Sequence, residues 1–219
     1  MIRRWAGRFI TVEGIEGVGK STHIGFIADY LHEAGKTVVV TREPGGTALG
    51  ELLRGILLDP SVEAMSPETE TLLMFAARAE HAVRVIRPAL AAGKWVISDR
   101  FSDASYAYQG GGRKVARKHI HNLECFVHPD LRPHVTFLLD APPDIALGRI
   151  HERRGNDRFE GERIEFFGLV RDRYLDRAHE QPDRIRVIDA SVPIADVQAQ
   201  LVRALQETIS LAGRSFQAP

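Results

Sequence analysis

The 219-residue sequence predicts an α/β fold, a doubly wound five-stranded parallel sheet with helices on both faces. Five short β-rich runs alternate along the chain with longer stretches of helical periodicity. Two of these runs, Val38-Val39-Val40 and Val135-Thr136-Phe137-Leu138-Leu139, look apolar on both sides, which is typical of strands that helices cover on both faces. A glycine-rich turn also joins the first run to a helical pattern, as in a strand–turn–helix unit.

The elements follow in order from these patterns. We expect strands at 9–13, 37–41, 95–100, 135–140 and 185–190. Ser66-Pro67-Glu68 has the form of a helix N-cap, a proline at the first helical position and an acidic first turn. It opens a helix predicted to run over 66–92 and to close at Gly93.

The segments between these elements suggest mobility. Gly-Gly-Gly-Arg-Lys at 110–114 predicts a flexible basic loop, and the charged stretch 151–163, with glycines at its hinges, predicts a mobile lid. No internal repeat or linker interrupts the chain, so we expect one domain over 1–219 with frayed ends at 1–7 and 213–219.

Composition excludes several classes of protein. Apolar residues make up 44% of the chain, charged residues make up 26%, and the formal net charge is zero, which argues against a nucleic-acid or membrane partner. The single cysteine, Cys125, allows no intrachain disulfide and suits a reducing compartment. Residues 1–8 carry three arginines but no apolar segment follows, so we expect neither a signal peptide nor a membrane span and predict a cytoplasmic protein.

The run Gly14-Ile15-Glu16-Gly17-Val18-Gly19-Lys20-Ser21 fits the phosphate-binding loop pattern at every constrained position. Its glycines let backbone N–H groups turn toward phosphate oxygens, and the following helix start adds a favourable dipole. Lys20 can reach the outer phosphates, the Ser21 hydroxyl can ligate Mg²⁺, and Thr22 continues the site into the helix. The alternative is a glycine-rich turn that binds nothing.

Three further motifs follow the strands or lie beyond them: Thr41-Arg42-Glu43-Pro44-Gly45-Gly46-Thr47, Asp99-Arg100-Phe101 and Tyr106-Ala107-Tyr108-Gln109-Gly110-Gly111-Gly112-Arg113. Glu13, Arg42, Asp99 and Asp140 all fall at the carboxyl ends of predicted strands, where such sheets bind ligands. Asp99 is a candidate Mg²⁺ ligand, although a capping or ion-paired role is the alternative. The guanidinium groups of Arg42, Arg78 and Arg100 match phosphate oxygens.

Together with the phosphate loop, these motifs resemble those of the bacterial thymidylate kinases, from about residue 9 to the last helix. The resemblance implies a nucleoside monophosphate kinase fold and transfer of the γ-phosphoryl group of ATP to dTMP, giving dTDP, in dTTP synthesis. It also implies Mg²⁺ as cofactor and a homodimer that packs through long helices.

The resemblance assigns the acceptor's phosphate and sugar to particular residues. Arg100 and Arg78 would clamp the phosphate, and Arg42 is a further candidate for the same role. Glu16 would accept a hydrogen bond from the sugar 3′-hydroxyl, and Tyr108 would lie beneath the sugar and crowd a 2′-hydroxyl.

For the base, the resemblance places Gln109 and Ser105 near the thymine. It assigns Pro44 to the cavity wall near the 5-methyl group, and the Glu43–Pro44 peptide bond is a candidate for cis. The family commonly has phenylalanine four residues before the helix arginine, where this chain has Met74. Phe75, three residues before that arginine, is the preferred candidate to stack on the pyrimidine. The alternatives are that Met74 faces the base and that Phe75 belongs to the core.

The predicted lid supplies the last group. The phosphate loop carries no arginine of its own, so an arginine of the lid is expected to stabilise the charge on the transferring phosphoryl group. The resemblance selects Arg153 for this role, with Arg149 and Arg158 as supporting candidates near adenine and the phosphates. The alternative is a solvated, charged helix face. With Lys20, Arg100 and Glu16, Arg153 completes the expected catalytic set.

Two alternative functions remain open on sequence alone. One is a kinase acting on another nucleotide or on a deoxynucleoside, and a nucleoside acceptor would need a general base and no phosphate clamp. The other is a non-catalytic nucleotide switch, although the chain lacks the Asn-Lys-x-Asp tetrapeptide that reads guanine.

Overall fold

The structure, a computed structural model, describes residues 5–62, 65–151 and 164–214. Its five parallel strands form one sheet in the order β2-β3-β1-β4-β5, which confirms the predicted fold class. The strands are β1 (Phe9–Glu13), β2 (Val38–Arg42), β3 (Trp95–Asp99), β4 (Val135–Asp140) and β5 (Ile185–Asp189). Because β1 lies between β3 and β4, the strand order reverses at its carboxyl end, where ligands bind in such sheets.

The helices are α1 (Lys20–Glu33), α2 (Ala48–Leu58), α3 (Pro67–His81), α4 (Arg87–Ala91), α5 (Ser102–Ser105), α6 (Arg117–Val127), α7 (Pro143–His151), α8 (Ile164–Glu180) and α9 (Ile194–Arg214). Two π-helical segments, Ala82–Ile86 and Tyr106–Gly112, extend α3 and α5. The predicted helix over 66–92 is therefore α3, a π-helical turn and α4. Its cap is as expected, because Ser66 Oγ accepts a hydrogen bond from the Thr69 backbone N–H.

The sheet edges differ from the prediction. β2 is the outermost strand on one side, and Val40 on it is 52% exposed, so the Val38–Val40 run is not covered on both faces. β2 also ends one residue later than expected, at Arg42, and β3 ends one residue earlier, at Asp99. Arg100 has left the strand with φ at 70°.

The triple glycine of 110–114 is not a flexible loop. Gly110, Gly111 and Gly112 belong to the second π-helical segment, which packs directly on α8. A Cβ on Gly111 would lie 2.8 Å from the carbonyl oxygen of Leu169, and one on Gly112 would lie 2.3 Å from Cε2 of Phe166. The glycines therefore serve close helix packing.

The chain ends are partly ordered where fraying was predicted. Trp5 is buried in a cluster with Ile86 and Leu90, and the Gly7 backbone N–H donates to the Leu90 carbonyl, because the indole finds an apolar site beside α4. At the other end, α9 continues to Arg214. No helix in the described ranges is both long enough and apolar enough to span a membrane. Of the predicted lid, 151–163, the residues 152–163, with Arg153 and Arg158, lie outside the described residues.

Candidate active site

The loop between β1 and α1 has the backbone of an anion site. Gly14, Gly17 and Gly19 adopt φ values of 137°, 78° and 87°, which are unfavourable for residues other than glycine. A Cβ on Gly14 would also lie 2.4 Å from the Leu139 carbonyl oxygen, so the loop approaches β4 closely. No side chain hydrogen-bonds to the first turn of α1 from its N-cap, which leaves the start of that helix available to an anion.

Lys20 curls back over this loop. Its Nζ donates to the carbonyl oxygens of Gly14 at 3.2 Å and Ile15 at 2.9 Å. Burial, with the positive charge of Arg100, lowers the pKa of Lys20 to about 8. Ser21 and Thr22 follow in the first turn of α1, where both are exposed. The predicted triphosphate residues thus surround one concave loop.

Asp99 and Ser21 offer a set of oxygen donors for a metal. Asp99 ends β3 opposite Val12 of β1, and its negative charge partly offsets the lowering of the Lys20 pKa. Within the described ranges, the buried Oδ1 of Asp99 has no hydrogen-bond partner. Oxygen ligands are those that Mg²⁺ prefers, so the buried carboxylate oxygen of Asp99 and the exposed hydroxyl of Ser21, the residue after Lys20, are of the chemical type that fits that ion.

A cavity of about 200 Å³ is lined by residues of the phosphate loop and of α3. It brings together most of the predicted acceptor residues. Its lining is Glu16, Lys20, Arg42, Glu43, Pro44, Arg54, Leu58, Met74, Arg78, Asp99, Arg100, Ala104, Ser105, Tyr108 and Gln109.

Arg100 connects the phosphate loop to two tyrosines, Tyr108 and Tyr174. One terminal nitrogen donates to Glu16 Oε1 at 2.8 Å and to the Tyr108 hydroxyl at 3.0 Å. The other donates to the Gly14 carbonyl at 3.0 Å and to the Tyr174 hydroxyl at 3.1 Å. The Tyr108 hydroxyl in turn donates to Glu16 Oε2 at 2.5 Å. Loop, clamp arginine and tyrosine therefore form one hydrogen-bonded unit.

Arg78 is fixed by a buried network. Its Nε donates to Glu43 Oε2 at 2.6 Å, and its terminal nitrogens donate to Ser105 Oγ at 3.0 Å and to the Phe101 carbonyl at 3.1 Å. Glu43 Oε1 also pairs with His81 Nδ1 at 2.8 Å. Burial alone would raise the pKa of Glu43, but Arg78 and His81 outweigh it, and the pKa is lowered. The network holds the guanidinium at one orientation in the cavity wall.

Phe75, the preferred candidate for base stacking, does not line the cavity. Phe75 is 2% exposed and packs with Tyr106 and Ile120 against α6, while the preceding residue, Met74, lines the cavity. Successive residues on a helix are rotated by about 100°. One position therefore separates the cavity face of α3 from its buried face, and the family spacing, which selects Met74, is the one that the structure follows.

The remaining predicted residues lie at the rim or beyond it. Arg42 pairs with the exposed Glu51 at 2.8 Å on the cavity rim. The Glu43–Pro44 peptide bond is cis, as suggested, and Pro44 lines the cavity wall. Arg149 does not line this cavity and donates to the Ala190 carbonyl at 2.9 Å, beyond β5.

Several residues at the site were not assigned a specific role, and Glu13 was predicted only as one of the residues at the carboxyl ends of strands. Glu13 is fully buried beneath the loop, where it accepts from the Phe101 N–H at 2.7 Å and the Tyr174 hydroxyl at 2.7 Å. Burial and the charge of Asp103 raise its pKa to about 8. Glu43 stood inside a recognised motif, and Glu70 resembled an ordinary acidic residue of a helix's first turn. No sequence motif marked Tyr174, because only the tertiary fold brings α8 to the site.

Comparisons with known proteins agree with this geometry. The protein-family model described as thymidylate kinase matches residues 12–201 of this chain. A thymidylate kinase of Janthinobacterium sp. (strain Marseille) is 58% identical over 195 residues, covering 89% of this chain and 94% of that protein. One of Bordetella petrii is 54% identical over 200 residues, covering 91% and 95%. A crystal structure of thymidylate kinase from Ehrlichia chaffeensis superposes with a TM-score of 0.75 at 36% identity, covering 91% and 98%. The chain belongs to the thymidylate kinase family.

Proposed function

We propose that the protein transfers the γ-phosphoryl group of ATP to the 5′-phosphate of dTMP, giving ADP and dTDP for dTTP synthesis. The cavity carries the proposal, because it begins at the phosphate loop with Glu16 and Lys20 and ends at Met74 and Gln109. Arg100 lines the same cavity and lies within hydrogen-bond distance of Glu16. A donor triphosphate and an acceptor monophosphate can therefore meet in one connected space.

At the donor end, the backbone of 14–19 and the start of α1 would bind the ATP phosphates, with Lys20 toward the outer ones. Ser21 and Asp99 would hold Mg²⁺, which neutralises charge on the phosphate oxygens when it is bound. When ATP displaces the carbonyl contacts of Lys20, its ammonium gains an anionic partner.

At the acceptor end, Arg100 and Arg78 would bind and orient the monophosphate, with Arg42 at the entrance. The acceptor phosphate is itself the nucleophile, so the site needs no general base, and positioning with charge neutralisation supplies the rate. Glu16 and Tyr108 would hold the deoxyribose, while Pro44, Ser105 and Gln109 would surround the base. Arg153 is proposed on the sequence resemblance as the arginine that stabilises the group in flight.

We further propose one domain and a cytoplasmic homodimer. Leu49, Leu52 and Ile56 form an exposed apolar stripe along α2, and Leu72 is exposed on the neighbouring α3. Helical stripes of this kind are stable in water when a second surface covers them. Light scattering after gel filtration should give a dimer mass, and Leu52→Arg should give a monomer. A wild-type monomer would reject this part of the proposal.

An acceptor panel tests the function itself. ADP release is measured with ATP, Mg²⁺ and, in turn, dTMP, dUMP, UMP, AMP and thymidine. Turnover with dTMP, its loss on chelation of the metal and no turnover with thymidine are expected. Turnover with thymidine but not dTMP would show a nucleoside kinase, and nucleotide binding without turnover of any acceptor would favour a regulatory protein.

A further inference from the structure

We infer that Glu70 sets the base specificity of the site by fixing the orientation of the Gln109 amide, so that the carbonyl of Gln109 faces the pyrimidine. This inference rests on the proposed function, since it takes the end of the cavity at Met74 and Gln109 to hold the base. It concerns a residue of α3 that does not line the cavity itself.

The contact between the two side chains is direct and buried. Gln109 Nε2 donates to Glu70 Oε1 at 2.9 Å, and both residues are 1% exposed. A carboxylate only accepts hydrogen bonds, so the amide must present its NH₂ group to Glu70. The opposite orientation would bring two acceptor oxygens together in a buried place, where an unmade hydrogen bond is costly. The carbonyl oxygen of Gln109 is thus left for whatever occupies the cavity.

The carboxylate is itself held in place. Arg113 Nε donates to Glu70 Oε2 at 3.2 Å, and the Arg113 guanidinium lies 4.8 Å from the ring centre of Phe166 on α8. Gly112, the residue before this arginine, approaches the same ring so closely that a side chain would not fit. The packing of the π-helical segment on α8 therefore anchors the Glu70 acceptor.

The chemistry of the bases gives this orientation a consequence. Thymine and uracil carry a donor at N3, which the Gln109 carbonyl can accept, and the second N–H of the amide stays able to donate to a base carbonyl. Cytosine has an acceptor at N3, which would face another acceptor. A matched pair of contacts of this kind discriminates against the wrong base by about ten- to a hundredfold.

Replacing Glu70 tests the inference. In Glu70→Gln, the new amide can face either way, so Gln109 can turn its NH₂ group to the cavity. The ratio of kcat/KM for dCMP to that for dTMP should rise about tenfold or more. Glu70→Asp, which keeps a carboxylate, should stay closer to the wild type, and Glu68→Gln, in the same turn but exposed, should leave the ratio unchanged. A folded Glu70→Gln enzyme with an unchanged ratio would overturn the inference.

A second measurement uses the wild-type protein and does not depend on folding of a variant. In 3-deaza-dCMP, a C–H group replaces the acceptor at N3 of cytosine. If the Gln109 carbonyl faces the base, this compound should inhibit dTMP turnover roughly tenfold more strongly than dCMP. Weaker or equal inhibition would show that the carbonyl does not face N3 and would overturn the inference. Wild-type enzyme that fails to turn over dTMP would count against the proposed function instead.

Discussion

Replacing Glu43 with glutamine tests whether a buried ion pair holds the acceptor clamp. The carboxylate of Glu43 accepts from Arg78 at 2.6 Å and lies 2.8 Å from His81, and the Arg78 side chain is 2% exposed. Glutamine keeps the volume but removes the charge, and it turns an N–H group toward one of these partners. The guanidinium of Arg78 then stays charged and buried without its carboxylate.

Removal of one partner of a buried ion pair typically costs about 3–5 kcal/mol. Because glutamine still offers one acceptor oxygen, we expect a loss near the lower end, about 3 kcal/mol in the free energy of unfolding. The pKa of Glu43 is lowered in the folded protein, so its contribution is present above the ordinary value of 4.5 and disappears as the pH falls through the folded value. The difference between wild type and variant should therefore shrink in acid.

Urea unfolding followed by circular dichroism, at one fixed protein concentration, measures this loss. Glu80→Gln is the matched control, because Glu80 pairs with Arg84 on the surface of the same helix and should cost less than about 1 kcal/mol. In Glu43→Gln, KM for dTMP should also rise about tenfold because Arg78 is misplaced, while KM for ATP should stay unchanged. Equal losses for Glu43→Gln and Glu80→Gln would refute the reasoning.

Four further predictions follow from the site and its supports. Gly111→Ala should lower the free energy of unfolding, measured by thermal melts, by about 1–3 kcal/mol, because the new Cβ would meet a backbone carbonyl of α8. The control is Gly168→Ala in α8, where a Cβ has open space, and it should be neutral or stabilising. Since burial lowers the pKa of Lys20 to about 8, KM for ATP should rise above pH 8, and a flat profile would contradict this. Burial raises the pKa of Glu13 to about 8, so its stabilising contribution is complete below the ordinary value of 4.5 and is lost as the pH rises toward 8; urea unfolding should show Glu13→Gln gaining stability relative to wild type between pH 5 and pH 8. Arg153→Ala should lower kcat far more than it raises KM for dTMP, and an unchanged kcat in steady-state assays would remove that residue from its role.

The fold and the phosphate loop could be predicted because their signals are local. The residue spacing from Gly14 to Ser21 determines one arrangement when a strand precedes it and a helix follows it. Asp99 and Arg100 could be placed because they lie at the end of β3. Met74 and Phe75 show the limit of this. Both are apolar residues of one helix, and only the position of α6 decides which of them is buried away from the cavity.

The roles of the supporting carboxylates could not be predicted from the sequence for a different reason. Glutamates such as Glu43 and Glu70 are usually exposed. In this fold each is buried with a hydrogen-bond partner that lies 35 or 39 residues away in the sequence. The triple glycine predicts flexibility when it stands alone, and the reason for it lies in α8. Such roles arise from contacts between distant segments, which no local pattern encodes.

A crystal structure with dTMP, Mg²⁺ and a non-hydrolysable ATP analogue tests the central claim most directly. The analogue's triphosphate should lie in the loop of 14–19, and the dTMP phosphate should contact Arg100. The thymine should lie between Met74 and Gln109 with its N3–H directed at the Gln109 carbonyl. A monophosphate seated in the phosphate loop, or a thymine outside this cavity, would contradict the proposed two-substrate site.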